Sequence, residues 1–500
     1  RLTSHSYRSL AWLAERLAVG HQRLDELTVD DVGVRAGLMS TCSGLSRPAR
    51  RLLGRLGQLD IVQLSAWHAA AALETSLDDV EVLLDELVAM HLLEPAATPV
   101  GMPQRFTLHD LVHTFAGELG RRAETAGALD AACRRVFDAA LRRAEDARVV
   151  ANRSMMLPEP PDVQRWGDSA VDEITAVGAD LWFRWEHSVL MALTLQACER
   201  DALDHAYGLA AAMFEFHDSL RYDAEMQLIN QRVFEAGVAA RHEIAQAYAA
   251  VYRAELNANR GQQRHIMADL EFALAILRHH RDTLPMATLN AEIIMAHTMR
   301  VRGQTAAALE FAKELVDIAV ALDDPRAEAT AQNCLGACLS WSDEHHAARQ
   351  AFQRGLKLFE EAGSPIGMSL CFMRLGATSS ALGLYRDATD ELEHALRLSA
   401  GSPQGQPYIL LALAENAIAA GQLTAARQHL FRCEATLEQH PNDLLTARML
   451  LNHGRIDEQR RAYPQAGQQY RRARQLATWA GAVVLANTVR ERIAGLTARR

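Results

Sequence analysis

"RFTLHDLVHTF", residues 105–115, sets a short apolar-alternating run directly before His109-Asp110-x-x-His113. If the whole stretch is one helix, His109 and His113 share a face, as in a zinc-hydrolase helix with Asp in place of the usual Glu. If instead a strand ends at Leu108, the same residues lie at a strand-to-helix junction, where Asp110 serves as N-cap or first-turn acid. The zinc reading needs both histidines mid-helix, a third ligand downstream and a general-base Glu. No third ligand follows, and Asp is a methylene short. The junction reading is preferred, with no metal and no catalytic residue.

Working upstream, residues 47–120 read helix, helix, helix, hairpin, helix. "RPARRLLGRLGQL" is amphipathic, and "SAWHAAAALE" is packed by its alanines. Ser76-x-x-Asp79 is a capping box in which Ser76 accepts backbone N–H bonds and Asp79 reaches back. It opens "DDVEVLLDELVAMH", whose Val80, Leu83, Leu84, Leu87 and Val88 follow helical spacing. "LLEP" and "RFTL" are then expected to pair as two short strands at 92–94 and 105–108, with helix resuming by 111. Three helices followed by a hairpin is a winged-helix domain, assigned to 47–127. Residues 1–46 read as a preceding helical segment. Residues 128–200 read as a helical linker with one loop-rich stretch, "RSMMLPEPPDVQRWGD". Trp182, Phe183 and Leu190 are core candidates there, with Glu186 as a buttress.

Downstream, the chain repeats. Ala308, Ala348, Ala388, Ala426 and Ala466 recur at intervals of 38 to 40 residues. Four residues after each stand Ala312, Phe352, Leu392, Leu430 and Tyr470. Seven after stand Leu315, Gly355, Ala395, Cys433 and Ala473. Twelve before stand Ala296, Gly336, Gly376, Ala414 and Gly454. Small residues at fixed positions let paired helices approach, and a bulky one fills the gap between them. Fainter copies are read at Ala224-Leu228 and Ile266-Leu270. The offsets resemble those of the tetratricopeptide repeat (TPR), though the period is longer than its usual 34 or so residues. The expected architecture is mainly α: the winged helix with one short β-hairpin, then an α-solenoid of about seven TPR-like helix pairs over 201–500. Such solenoids bind more often than they catalyse. In this register the first helix of each pair lines the concave side. It presents a candidate ligand or partner groove of Tyr248, Glu255, His297, Arg300, Asn333, Trp341, Tyr408, Glu415, Arg448 and Arg455.

Composition limits the function classes. A net charge of −10 offers no basic stripe for nucleic acid. Seven scattered cysteines, Cys334 and Cys338 among them, read as small buried thiols in a reducing compartment. No uninterrupted apolar run reaches about 18 residues and no signal peptide is evident, so a cytoplasmic protein without membrane contact is expected. The opening lacks a methionine and falls in a helical pattern, which leads us to expect a longer parent chain.

The segments "LLDELVAMHLLE", "RFTLHDLVHTFAGEL" and "WFRWEHSVL" together resemble the large, AfsR-like members of the Streptomyces antibiotic regulatory protein (SARP) family. Leu108-His109-Asp110 resembles the Met-His-Asp motif that ends the winged-helix hairpin of NB-ARC (STAND-type) switch ATPases. The resemblance implies that Leu108, His109 and Asp110 sense nucleotide state, with His109 contacting the β-phosphate of bound ADP. It covers residues 1 to about 240 by these segments and the remainder by its repeats.

A P-loop needs Gly-Lys-Ser/Thr. The only lysines are Lys313, after Ala312, and Lys357, after Leu356, so this chain has none. The resemblance therefore places ADP or ATP with Mg, slow ATP hydrolysis and the DNA-binding domain in upstream parts of a full-length parent. This chain would have no cofactor, no enzymatic activity and no direct DNA contact. Its partners would be those upstream domains, and a signal molecule or protein on the solenoid. The reading is thus the sensor and autoinhibitory half of an ATP-dependent transcriptional activator. Alternatives are the sensor half of a bacterial NLR-like defence ATPase, a stand-alone TPR scaffold, and a hydrolase built on His109, Asp110 and His113.

Overall fold

The computed structural model describes residues 28–29, 32–99, 101–262, 265–399, 405–439 and 441–497. Most of the expected helical segment at 1–46 lies outside the described residues. The described residues form two compact units. One comprises the chain up to Ala151 together with Pro161–Ala212, and the other Asn152–Pro160 together with the chain from Met213 onward.

The first unit opens with strands β1 (Thr28–Val29) and β2 (Val32–Gly33), paired antiparallel, followed by helix α1 (Val34–Ser43). Next come α2 (Arg47–Leu56), β3 (Gln63–Ser65), α3 (Ala66–Leu73), α4 (Leu77–Ala89), β4 (Glu94–Pro95), β5 (Arg105–Thr107) and α5 (Asp110–Ala123). Ser46 caps α2 by accepting from Ala49 N, and Ser76 caps α4 by accepting from Asp79 N. The Asp79 carboxylate accepts a hydrogen bond from the Ser76 hydroxyl at 2.7 Å, a side-chain bond in place of the expected backbone one.

The hairpin forms with Glu94 opposite Thr107 and Pro95 opposite Phe106. Sequence reading missed a third strand: β3 pairs antiparallel with β5, Ser65 opposite Arg105, giving the order β3-β5-β4. Three residues between two amphipathic helices carry no periodic signal, and the strand exists only because β5 is there to pair with it. Helix, strand, two helices and two strands is the winged-helix order, and the mainly α fold class stands; the β1–β2 pair is a correction, lying in a segment whose sequence reads as helical.

Helix α5 crosses α2 closely enough to exclude any side chain. A Cβ on Gly57 would lie 2.2 Å from Gly117 N, and one on Gly120 would lie 2.3 Å from Gly54 O. Helices α6 (Ala126–Ala151), α7 (Val171–Val177) and α8 (Ala179–Glu199) complete the unit. Trp182, Phe183 and Leu190 are buried on α8, as their apolar spacing suggested.

The second unit is a helical solenoid. Its pairs are α9 (Leu203–Leu220, which straddles the division between units) with α10 (Asp223–Ala240), and α11 (Glu243–Asn259) with α12 (Ile266–Leu277). Then follow α13 (Pro285–Val301) with α14 (Thr305–Ala321), α15 (Pro325–Trp341) with α16 (His345–Glu361), and α17 (Pro365–Ala381) with α18 (Tyr385–Leu398). The last are α19 (Gln406–Ala419) with α20 (Leu423–Gln439), α21 (Asp443–Gln459) with α22 (Tyr463–Ala480), and a final helix α23 (Val483–Thr497). In the regular repeats both helices have 17 residues and three-residue turns separate them, which accounts for the forty-residue period.

The marker positions pack as their sizes require. Phe352, Leu392 and Tyr470 are fully buried, each against a glycine twelve residues before its repeat's marker alanine. A Cβ on Gly336, Gly376 or Gly454 would meet Phe352, Leu392 or Tyr470 at 2.5, 2.5 and 2.3 Å. Where the twelve-before residue is alanine, the partner is no larger than leucine: Ala296 accompanies Ala312, and Ala414 accompanies Leu430. The Ile266-Leu270 copy holds, since both residues are buried. The Ala224-Leu228 copy is corrected. Leu228 is 47% exposed, and α10 buries Met226, Ile229 and Val233 instead, so its true register lies two residues later.

Curvature brings distant pairs of this unit together. Asn442 Nδ2 donates to Asn259 O at 2.6 Å and Asp443 N to Arg260 O at 3.2 Å, joining the start of α21 to the end of α11.

Candidate functional site

Helix α5 begins where the opening motif predicts. Leu108 is buried at the end of the hairpin, while His109 and Asp110 are exposed. His109 itself is the N-cap, its Nδ1 accepting from Leu111 N at 3.3 Å. Of the two roles open to Asp110, the structure selects the first-turn acid, where its charge meets the positive end of the helix. With Nδ1 accepting, the neutral ring carries its proton on Nε2, which has no partner among the described residues. One N–H donor is therefore held outward at a helix N-terminus, geometry that suits an anion.

His113 is engaged elsewhere: its Nε2 lies 2.7 Å from Leu59 O, and since a carbonyl only accepts, the ring donates. The two histidines of the motif thus do different work, one capping and one bracing.

Contacts along its length hold α5 in place. Gln58 Nε2 donates to Gly117 O at 3.0 Å. At the far end Arg55 pairs with Glu124 at 2.7 Å, and this guanidinium holds the Glu124 carboxyl below the usual carboxylate range. The strand leading into His109 is anchored by a buried ion pair, Arg105 with Glu186 of α8 at 2.9 Å, with the guanidinium also over the Trp185 ring. Burial pushes the Glu186 carboxyl up, against the lowering effect of Arg105. The sequence suggests Glu186 as a buttress of the junction into the solenoid; the structure pairs it instead with Arg105 of β5.

In the solenoid, five of the ten expected groove residues converge. Arg300, Trp341, Tyr408, Glu415 and Arg448 line one interior cavity of about 330 Å³. Arg374 of α17 joins them and was missed. Counting from the twelve-before position of each repeat, the lining residues Tyr408 and Arg448 sit at −6, Glu415 at +1 and Trp341 at +5. These offsets trace one helical stripe, and −2, where Arg374 stands, lies on it. The register already contained the signal.

Glu415 receives Arg448 at 3.0 Å on each carboxylate oxygen. The Arg300 guanidinium lies 4.6 Å from the Trp341 ring centre. Arg300 is 6% exposed and Arg374 half-buried, and neither side chain has an ion-pair or hydrogen-bond partner among the described residues. Burial, and the Arg374 and Arg448 charges, pull Arg300 down to about 10.

The other five expected groove residues lie apart from this cavity. Asn333 is buried and donates to Cys371 Sγ at 3.5 Å. Arg455 donates to Asn452 Oδ1 at 3.1 Å. Burial first, and then the Arg300 and Arg374 charges, push the His297 imidazole well below its usual range. Glu255 is pushed up to about 8 by burial and by the neighbouring Asp218 and Glu215 carboxylates of α9.

Tyr248 is covered by a strap that sequence reading took for plain linker. Residues 152–160 run along the second unit: Tyr248 OH donates to Glu159 O, and the Glu159 carboxylate accepts from Met286 N and Ala287 N at the start of α13. Arg326 donates to Ser154 O and Asn152 Oδ1, and Met156 is buried beside Leu289 and Ile293.

Among the described residues no cluster of His, Cys, Asp and Glu could hold a metal ion, and no helix is long and apolar enough to cross a membrane.

No family model matches the chain. It is 35% identical over 127 residues to the regulatory protein AfsR of Streptomyces coelicolor, an alignment covering 25% of this chain and 12% of that protein. It is 23% identical over 420 residues to the regulatory protein AfsR of Streptomyces griseus, covering 82% of this chain and 37% of that protein. The chain thus spans well under half the length of the curated relatives it matches. Among solved structures, a signal-transduction ATPase with a tetratricopeptide repeat sensor from Pyrococcus horikoshii is similar at 13% identity and a TM-score of 0.46. That alignment covers 98% of this chain and 73% of the other. The chain is AfsR-like in sequence, and its second unit is a TPR-like solenoid.

Proposed function

We propose that this AfsR-like chain is the sensor and autoinhibitory half of a cytoplasmic, ATP-dependent transcriptional activator. In this reading the solenoid receives a signal, and α5 of the winged helix reports nucleotide state to a nucleotide-binding core in the same parent protein. The observation that carries it is His109: an exposed N-cap histidine whose Nδ1 is taken by Leu111 N, leaving Nε2–H free to donate to the β-phosphate of ADP. Mg-nucleotide chemistry would be supplied by that core. This chain contributes a donor and the helix that aims it.

The strap at 152–160 fits a relay. It belongs to the second unit, yet the chain leaves the first unit at Ala151 and re-enters it at Pro161. A signal that repacks the solenoid around Met156 or Glu159 therefore pulls on both ends of that connection.

The test is a reporter driven by the intact regulator. His109→Ala removes the latch donor and should raise output without signal. Output that falls together with the protein's melting temperature would assign His109 a structural role and overturn the sensor reading.

A further inference from the structure

The interior cavity of the solenoid is polarised in a way that specifies its ligand. Three guanidinium groups, Arg300, Arg374 and Arg448, reach it from three different helices, α13, α17 and α21. Arg448 is matched by the two oxygens of Glu415. Arg300 and Arg374 have no carboxylate, and the Nε of each is buried without a hydrogen-bond partner. Arginine does not shed its proton under ordinary conditions, so both remain cations, Arg300 buried and Arg374 half-buried. Buried charges are normally paired, and leaving them unpaired costs several kcal/mol.

The remaining wall is mostly apolar, with the flat rings of Trp341 and Tyr408 beside the cations. The volume of about 330 Å³ falls at the small end of ligand sites and admits a molecule of modest size, not a folded partner. From this geometry we infer that the cavity binds a small organic anion with an apolar body, its anionic group meeting Arg300 and Arg374 and its body lying against Trp341.

The inference rests on the sensor reading above and names the class of its signal. A phosphate ester and a carboxylate satisfy the same two cations, so phenyl phosphate and phenylacetate are the two probes. Benzylammonium is the cationic control, and inorganic phosphate tests whether the apolar body matters. Calorimetric titration of the whole chain should show one site per chain for at least one organic anion, and much weaker binding of benzylammonium and of inorganic phosphate. Arg300→Met and Arg374→Met should each weaken binding by about ten- to a hundredfold, the range of one charge-assisted hydrogen bond. Because each removes an unpaired buried charge, melting temperature should hold or rise. Arg300→Lys retains the charge and should recover part of the affinity, which separates ligand binding from packing.

Neither anion binding at millimolar concentration, or both Met variants binding like the parent, overturns the anion site. The variant carrying both Arg300→Met and Arg374→Met, placed in the intact regulator's reporter, separates the two levels. A reporter that changes while the anions fail to bind leaves the solenoid a sensor of another ligand class. A reporter indifferent to the cavity, with the anions still bound, contradicts the sensor reading itself.

Discussion

The first unit and the solenoid are stabilised by different kinds of contact, and the difference separates what fixes one side chain from what builds a repeated wall. In the first, α5 is placed by particular, unrepeated interactions: glycine pairs at the α2 crossing, Gln58 on Gly117, Arg55 on Glu124, and Arg105 on Glu186. In the second, one volume rule is applied five times, a small residue on the first helix against a matched residue on the second. The first kind holds one helix, and the side chain at its start, in a single place. The second builds a wall whose interior stripe is free to vary, and there the unpaired arginines sit.

If that distinction holds, the two units should respond differently to compensation. Phe352→Ala should cost about 3–5 kcal/mol by emptying the space over Gly336. Gly336→Ala with Phe352→Leu copies the Ala414–Leu430 pairing of another repeat and should lose far less. Chemical denaturation measures both, and equal losses would mean that the repeats are not interchangeable. Arg105→Ala should also cost about 3–5 kcal/mol, because it strands the buried Glu186 charge. No residue elsewhere in the chain offers a replacement rule. Only removing Glu186 as well, for instance Arg105→Met with Glu186→Leu, should restore stability, and a double variant as unstable as the single would refute the pairing.

A smaller effect sharpens the comparison within the solenoid. Glu255 has a carboxyl raised to about 8 by burial and by Asp218 and Glu215. Its proton is kept in the folded state after the unfolded chain has released it. Stability from this group is therefore highest at acid pH and declines as pH rises from the usual carboxylate range to about 8. Glu255→Gln should flatten that decline, gaining roughly 1–3 kcal/mol at pH 8, the usual cost of an unmet buried polar group, and little at pH 5. Melting curves across that range check it, and a gain independent of pH would show that the carboxyl is not protonated in the fold.

Legibility in the sequence followed the same division. Periodic volume is visible without coordinates, so the seven helix pairs and the buried marker positions were readable from spacing. The register failed at Ala224-Leu228, where α10 buries Met226, Ile229 and Val233, which are not the small residues of the marker rule. Contacts that occur once were not readable. Strand β3 needs β5 to exist, Arg105 meets Glu186 across 81 residues of chain, and the strap at 152–160 looks like loop because its partners lie in the repeats. Only half of the expected groove residues line one cavity for a related reason: spacing gives a helix face but not what covers it, and Tyr248 is covered by Glu159.

The central claim is that α5 presents a nucleotide-sensing donor. ADP titration of the intact regulator tests it directly, comparing the parent with His109→Ala and with Asp110→Ala. His109→Ala should weaken ADP binding by about ten- to a hundredfold, since one charge-assisted hydrogen bond contributes about 1.5–3 kcal/mol, with only the small fall in melting temperature that losing the N-cap of α5 brings, about 1 kcal/mol. Asp110→Ala should lower helix stability by about 0.3–1 kcal/mol, through loss of a first-turn acid, with ADP affinity nearly unchanged. ADP affinity untouched by His109→Ala, with a lower melting temperature, would contradict the account and leave His109 as no more than the cap of α5.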